Sequence, residues 1–513
     1  MRKYFKSLFV ILSLLLFTVV FAACSMSSSD DVAPPTATAT VTIAPKVDPD
    51  SGGKTVTATR NASTFKNAKT FNPGLAFASF CLSISADTEQ KLKDFFKDFE
   101  FDNFEAHNAK SANYDDNKIA DSISYGLAHC KDEDFDVIAI AIRGGAYGME
   151  WISNFELGST GDHAGFSSAA KMVYEGLKKY IDNNYSKAYA EKTLKILITG
   201  YSRAAAVSNV LAYYILTGLE GDSTYVKLDI DANDVFVYTF ATPRALCSEH
   251  ALPYENVFNL YSKADMVTYM APEQYGFKHC GTDKILFECN VAQYTQHKEI
   301  EYESSSYKKY KVSYTSVIDT YLKEFNSDID LPSFCKHTEY SNRAEPDFPG
   351  DAYKTEKDCI EYFLKQIFNT TKTGGFNVTN REKFVATAQP TVQYFLKLYM
   401  ENKEKLPKVI ENLKSDYTVI LTAIASADNF YTFVKDKLTE VGINPDADTT
   451  YGNLKDHCTK IYEAVDIFGQ KGVLSDVIVK VLPMLIAGNQ DFQRIIKMHY
   501  PEVTCVTLIK TVL

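Results

Sequence analysis

Ser202 is the residue in this chain with the clearest claim to chemistry. It sits in G-Y-S-R-A, with Gly200 two residues before it and Ala204 two after. An apolar run, "LKILIT", leads in, and "SRAAAVSNVLAYYILTGL", apolar at helical spacing, leads out. A hydroxyl is a weak nucleophile at neutral pH. It needs a base to take its proton and donors to hold the oxyanion that forms on its target. A sharp strand-to-helix turn helps with both. It lifts the hydroxyl above the sheet edge and sets the next amide at a helix N-terminus, where the dipole favours negative charge. Such a turn is crowded and needs small neighbours, which Gly200 and Ala204 supply. The competing reading is a serine that only caps the helix. This stretch alone accommodates both readings.

A nucleophile on such a turn needs a sheet beneath it. "FDVIAIAIRGG", "LKILITG", "DVFVYTFATP" and "NVFNLYS" are short apolar runs of the kind that form buried parallel strands. "GFSSAAKMVYEGLKKYIDNN" and the run after Ser202 carry helical spacing between them, and "GLAFASFCLSISA" and "TEQKLKDFFKDF" read as helices before them. Strands alternating with helices predict an α/β fold, a mainly parallel sheet flanked by helices. After about residue 350 the strands stop. "KTEKDCIEYFLKQIF", "TAQPTVQYFLKLYMENKEKLPKVIENLKS", "TVILTAIASADNFYTFVKDKLTEVG", "NLKDHCTKIYEAVDIFG" and "SDVIVKVLPMLIAG" read as helix after helix, with no fixed-period repeat. The expected division is an α/β domain over 66–348 and an all-helical C-terminal domain or cap over 349–513.

The N-terminus reads as an address. "MRKYFK" is basic, "SLFVILSLLLFTVVFAA" is apolar, and Cys24 follows Ala22 and Ala23. A basic start, a short apolar core and small residues before the cut describe a signal peptide over 1–23. The cysteine at the cut resembles a bacterial lipoprotein signal, which implies a lipid on Cys24, export and anchorage to a membrane of the cell envelope. Acyl chains hold a protein on a membrane without a spanning helix. Residues 24–65, rich in Ser, Thr, Ala, Pro and Asp, are expected to form a flexible tether.

The chain has 513 residues and a net charge of −11, with no basic block, which argues against nucleic acid as a partner. Apart from Cys24 there are nine cysteines and no C-x-x-C pair, so the spacing names neither a zinc site, nor a redox motif, nor a disulfide pairing.

Several further stretches bear on Ser202. "AIAIRGGAYGMEWISNF" precedes it, then "HAGFSSAA"; "VYTFATPRA" and "NLYSKADMVTYMAPEQYGFKHCG" follow. In this order they resemble the class 3 lipase family, whose members read strand-R-G, W-x-x-N, H-x-G-F, G-H-S-x-G, Y-T-F-(G/A)-(T/S)-P-R and D-x-V-x-x-x-P. The resemblance covers roughly residues 70–340. It implies an α/β-hydrolase fold, a bacterial branch of the family and a serine hydrolase of acyl esters with no cofactor and no metal. Ser202 falls on the nucleophile and Asp265 on the acid that orients the base. The order Ser, Asp, His requires a later histidine. His337 in "FCKHTEY" is taken, with His297 and then His279 as alternatives. The implied oxyanion donors are the backbone N–H groups of Arg203 and Gly145. Arg143 and His163 are expected to be structural, and Tyr201 stands where the family has histidine. The substrate implied is an acyl lipid or other ester. The alternative function is a non-catalytic surface lipoprotein that keeps the fold and binds lipid or a protein.

Overall fold

The computed structural model describes residues 37–43, 54–61, 64–144, 148–219, 221–262, 265–287, 381–405, 426–445, 450–461 and 499–511. The signal segment, Cys24, Gly145, His297 and His337 lie outside them. The chain divides into two compact units. The larger comprises Val19–Ala146, Gly161–Tyr362 and Arg494–Leu513, and the smaller takes in Tyr147–Thr160 and Phe363–Gln493.

The larger unit is built on a seven-stranded sheet in the order β11-β9-β7-β6-β5-β4-β3. Its members are β3 (Asp102–Ala109), β4 (Ile123–Asp132), β5 (Phe135–Ile142), β6 (Leu194–Tyr201), β7 (Val235–Phe240), β9 (Val257–Ser262) and β11 (Thr282–Phe287). From β5 to β11 the pairs are parallel, whereas β3 and β4 are antiparallel additions at one edge. The four expected strands are β5, β6, β7 and β9, so the fold is the expected mainly parallel α/β type. β3 and β4 were not anticipated: "FEAHNA" and "SYGLAHCK" interleave polar residues that mask them.

Helices cover both sheet faces, which is why strand residues of either parity are apolar. α3 (Ala164–Tyr180) and α4 (Arg203–Thr217) share a core with Ile138, Ile140, Ile196, Ile198, Val235 and Val237. On the other face lies α1 (Pro73–Ser85), where Phe80 meets Tyr201 and Phe240 edge-on and Ser79 O accepts from Thr199 Oγ1. α2 (Glu89–Asp98) follows, its start capped by Thr88. The last helix, α7 (Pro501–Thr511), packs against β9, β11 and α1 and buries Val503, Cys505 and Leu508 completely.

Two expectations about domain limits are corrected. Within 24–65, β1 (Ala37–Ile43) pairs antiparallel with β2 (Lys54–Arg60). "ATATVTI" looks like tether by composition, but it alternates. Ala37, Ala39, Val41 and Ile43 are buried while the threonines between them are exposed, and that two-residue period is the strand signal. At the other end, the α/β unit does not close at residue 348. Arg494–Leu513 return to it, because the apolar surface of α7 is buried against the sheet and α1.

The smaller unit is helical where it is described: α5 (Arg381–Glu401), α6 (Ala427–Glu440) and helical residues 454–461. Tyr394, Val434, Leu438, Ile443, Leu454 and Cys458 form its core. The segment after β5 belongs to it as well. Arg381 donates to the carbonyls of Leu157 and Gly158, both at 2.6 Å, and of Thr160 at 3.0 Å. Gln389 Oε1 accepts from Leu157 N at 3.1 Å. Among the described residues, no helix is long and apolar enough to cross a membrane.

Candidate active site

β6 ends at Tyr201 and α4 begins at Arg203, so Ser202 alone makes the turn. Its φ of 58° and ψ of −124° lie in a region that non-glycine residues avoid. Such a conformation costs roughly 1–3 kcal/mol and persists only where its surroundings over-determine it. Here the Ser202 N–H donates to Phe240 O at 2.9 Å, and Ser202 O accepts from Ala205 N at 2.9 Å. Gly200 is required by space. A Cβ there would stand 2.5 Å from both the carbonyl carbon and the oxygen of Ala204. The small residues of G-Y-S-R-A therefore let strand and helix meet at this distance. Ser202 precedes the helix but makes no side-chain capping bond. The helix-cap reading of the serine does not hold.

The hydroxyl is engaged elsewhere. Ser202 Oγ lies 2.8 Å from Nε2 of His499. Nδ1 of the same ring lies 2.7 Å from Asp265 Oδ2. A carboxylate accepts only, so Nδ1 carries the proton and donates to Asp265. Nε2 is then the acceptor for the serine O–H. Asp265 is 1% exposed and His499 5%. Asp265 stands just past β9 and caps the short 3-10 turn Met266–Tyr269, its Oδ1 accepting from Val267 N at 2.9 Å. One carboxylate oxygen is thus fixed by backbone and the other points at the imidazole.

β9 is itself held by a buried polar chain. Asn259 Oδ1 accepts from Asn209 Nδ2 and from Thr239 Oγ1, each at 2.8 Å. Asn209 Oδ1 accepts from Cys280 N at 3.0 Å. The chain ties α4, β7, β9 and the lead into β11 together beneath the site.

Tyr201 holds the histidine segment. Its hydroxyl donates to His499 O at 2.9 Å and shares a 2.9 Å hydrogen bond with Thr504 Oγ1. The ring stands 5.6 Å from the imidazole, centroid to centroid. Burial, with Asp265 nearby, raises the phenol pKa well above its usual value, so the group remains a neutral donor.

The imidazole that stands between Ser202 and Asp265 is that of His499. The choice of His337 is corrected accordingly. His337 and His297 fall outside the described residues, and His279 is occupied elsewhere, with Nε2 2.8 Å from Thr242 O and Nδ1 against Asp283. His499 follows Ser202 and Asp265 in the required order, so the order rule would have admitted it. The change to helical texture after residue 350 reads as a domain boundary, and this histidine lies beyond it. Five of the nine histidines lie after Asp265, namely His279, His297, His337, His457 and His499.

Arg203 opens α4, so its N–H stands at the helix N-terminus directly after Ser202. Gly145, the other expected donor, lies outside the described residues. Arg143 is structural, as expected: its guanidinium donates to Tyr114 O at 2.6 Å and its N–H to Ser124 O at 2.9 Å. His163 caps α3 and stacks on Phe166 at 3.8 Å, fully buried.

Residues 139–275 match the profile of the family described as Lipase (class 3). That span holds both Ser202 and Asp265. This segment belongs to the class 3 lipase family. The match supports a lipase-type hydrolase of carboxylic esters. No match was found among curated proteins. Solved structures with similarity include the Rhizomucor miehei triacylglyceride lipase, at 17% identity and a TM-score of 0.30, covering 41% of this chain and 78% of that one. The lipase of Rhizopus microsporus var. chinensis aligns at 18% identity and 0.28, over 41% of this chain and 70% of that one. Lipase II from Rhizopus niveus aligns at 19% and 0.25, over 43% and 78%. At such scores these likenesses carry no argument about the chemistry of this chain.

Proposed function

We propose that this protein is an exported, lipid-anchored serine ester hydrolase that cleaves acyl esters through Ser202, His499 and Asp265. The observation that carries the reading is the unbroken relay from the Ser202 hydroxyl through both nitrogens of His499 to a buried Asp265. His499 Nε2 takes the Ser202 proton as Oγ attacks the ester carbonyl. The carbonyl oxygen becomes an oxyanion, for which the N–H groups of Arg203 and Gly145 are the proposed donors. As the intermediate collapses, His499 gives its proton to the departing alcohol, leaving an acyl-serine. Water, deprotonated by the same nitrogen, releases the acid and restores the serine. Asp265 keeps the imidazole in the correct tautomer and stabilises its cation throughout. No step calls for a cofactor.

The proposed substrates are acyl lipids, and anchorage would come from a lipid on Cys24, as the small-small-Cys pattern after the apolar segment suggests. The alternative, a non-catalytic module that binds lipid or a protein, rests on an elbow, G-Y-S-R-A-A, that departs from the family glycines and on the open choice of histidine. The hydrogen-bonded His499 favours the enzyme.

The test uses the chain from residue 25 onward with a fluorophosphonate probe, then with short and long acyl esters. The parent labels, and Ser202→Ala and His499→Ala do not. A parent that neither labels nor turns over ester would sink the enzyme reading. Release of a long-chain acyl product only in the presence of vesicles would identify lipid as the substrate class.

A further inference from the structure

Outside the Ser202 site, a second group of reactive side chains converges where the turn after β8 (Leu246–Cys247) meets the start of α3. Asp162, Cys247 and His250 each offer a ligand atom there, and these atoms all lie within 4.8 Å of one another. Asp162 Oδ2 is 2.8 Å from His250 Nδ1, and Asp162 Oδ1 accepts from Cys247 N at 2.9 Å. The turn itself is fixed by His250 N and Ala251 N, both donating to Cys247 O, at 3.1 and 2.9 Å. His250 also stacks on Tyr213, with centroids 4.5 Å apart, which orients the ring. The Asp162 side chain is 7% exposed and that of His250 26%, so the cluster is enclosed with one open side.

A hydrogen-bonded Asp–His clamp accounts for two of these groups. It does not account for the third. Cys247 is buried, and its Sγ lies within 4.8 Å of the ligand atoms of Asp162 and His250. A thiol is a weak donor and does little for a buried carboxylate beside it. A divalent cation at the centre resolves the conflict. It takes the thiolate, one imidazole nitrogen and a carboxylate oxygen, and it turns the crowding of negative groups into attraction.

We propose that Asp162, Cys247 and His250 form a zinc site that pins the β8 turn to the start of α3. The donor set decides the metal class. One sulfur, one nitrogen and one oxygen suit zinc, whereas calcium and magnesium take oxygen ligands. Zinc bonds of about 2.0–2.3 Å require donors roughly 3.3–3.8 Å apart, so the cluster needs only small side-chain shifts. Binding releases the thiol proton to solvent, and the imidazole stays neutral by carrying its proton on the nitrogen that is not a ligand. Exposed Glu249 or water fills the fourth position. Because the Ser202 relay shares none of these residues, the site is a structural staple. The sequence hid it: C-S-E-H supplies two ligands at short spacing, but the third lies 85 residues before Cys247.

The test uses the chain from residue 25 onward. Zinc is added, unbound metal is removed and bound zinc is measured, with one equivalent per chain expected. Cobalt(II) in its place should give a thiolate-to-cobalt charge-transfer band in the near ultraviolet. Cys247→Ser should abolish that band. Asp162→Asn should weaken zinc binding by about tenfold or more. Cys458→Ser, in the helical unit, should leave both unchanged. Probe labelling at Ser202 reports whether each variant is folded. Less than stoichiometric zinc with no cobalt band in the parent overturns the site. So does a band that survives in Cys247→Ser.

Discussion

The Ser202 turn and the His499 segment meet within one hydrogen bond, yet they are encoded in opposite ways. The turn is local. Strand, serine and helix run consecutively from Leu194 to Thr217, and the fit of Gly200 against Ala204 depends on residues four apart. The histidine is remote. It stands 297 residues after the serine and 234 after its aspartate. It reaches the site because α7, directly behind it, buries its apolar residues in the α/β unit, and because Tyr201 fastens the His499 carbonyl. The nucleophile therefore belongs to an element, and the base to a docking event.

The sharpest way to break that comparison is to remove each partner. Ser202→Ala and His499→Ala should each lower kcat by about 10³-fold or more, and by similar amounts, since triad members act as a unit. His337→Ala should remain near the parent. An active His499→Ala, or an inactive and folded His337→Ala, would return the base to the earlier stretch.

Next in size are changes to the local fit. Gly200→Val forces two methyl groups and a Cβ into space held by the Ala204 backbone. Overpacking of this kind costs about 1–3 kcal/mol or more, so the variant should melt lower and lose probe labelling together. Full stability by thermal melt would show that strand and helix can separate without harm.

Tyr201→Phe is milder and tests the docking. It deletes the bonds to His499 O and Thr504 Oγ1 while keeping the ring. A loss of about 0.5–1.5 kcal/mol per bond is expected. A positioning role predicts a kcat decrease of roughly tenfold with KM unchanged. If kcat holds while only the melting temperature falls, the tyrosine is purely structural.

The smallest effect contrasts the two units. His457, in the helical unit, is buried with Nε2 2.8 Å from Tyr451 O and Nδ1 2.8 Å from Thr391 Oγ1. The carbonyl must accept, so Nε2 carries the proton and the ring is neutral. Burial lowers its pKa from 6.5 to about 4. On acidification the unfolded chain binds this proton first, so the unit loses stability as pH falls from about 6.5 to about 4 and is unaffected above that window. His457→Gln should flatten this part of the pH profile in thermal melts. An unchanged slope would assign the acid sensitivity to other groups.

What depends on neighbours along the chain is legible in the residues. Buried strands show as apolar runs, helices as apolar residues at helical spacing, and the Ser202 turn as small residues between the two. Asp265 was legible for the same reason, since it follows directly on β9. The histidine, the return of Arg494–Leu513 to the α/β unit and the pairing of β1 with β2 emerge only in the folded chain. In the first two, the deciding contact joins residues distant in sequence. The composition of α7 does not name the surface that buries it. That choice depends on apolar area and hydrogen-bond partners, such as Tyr201 and Thr504, that come together only when the chain folds.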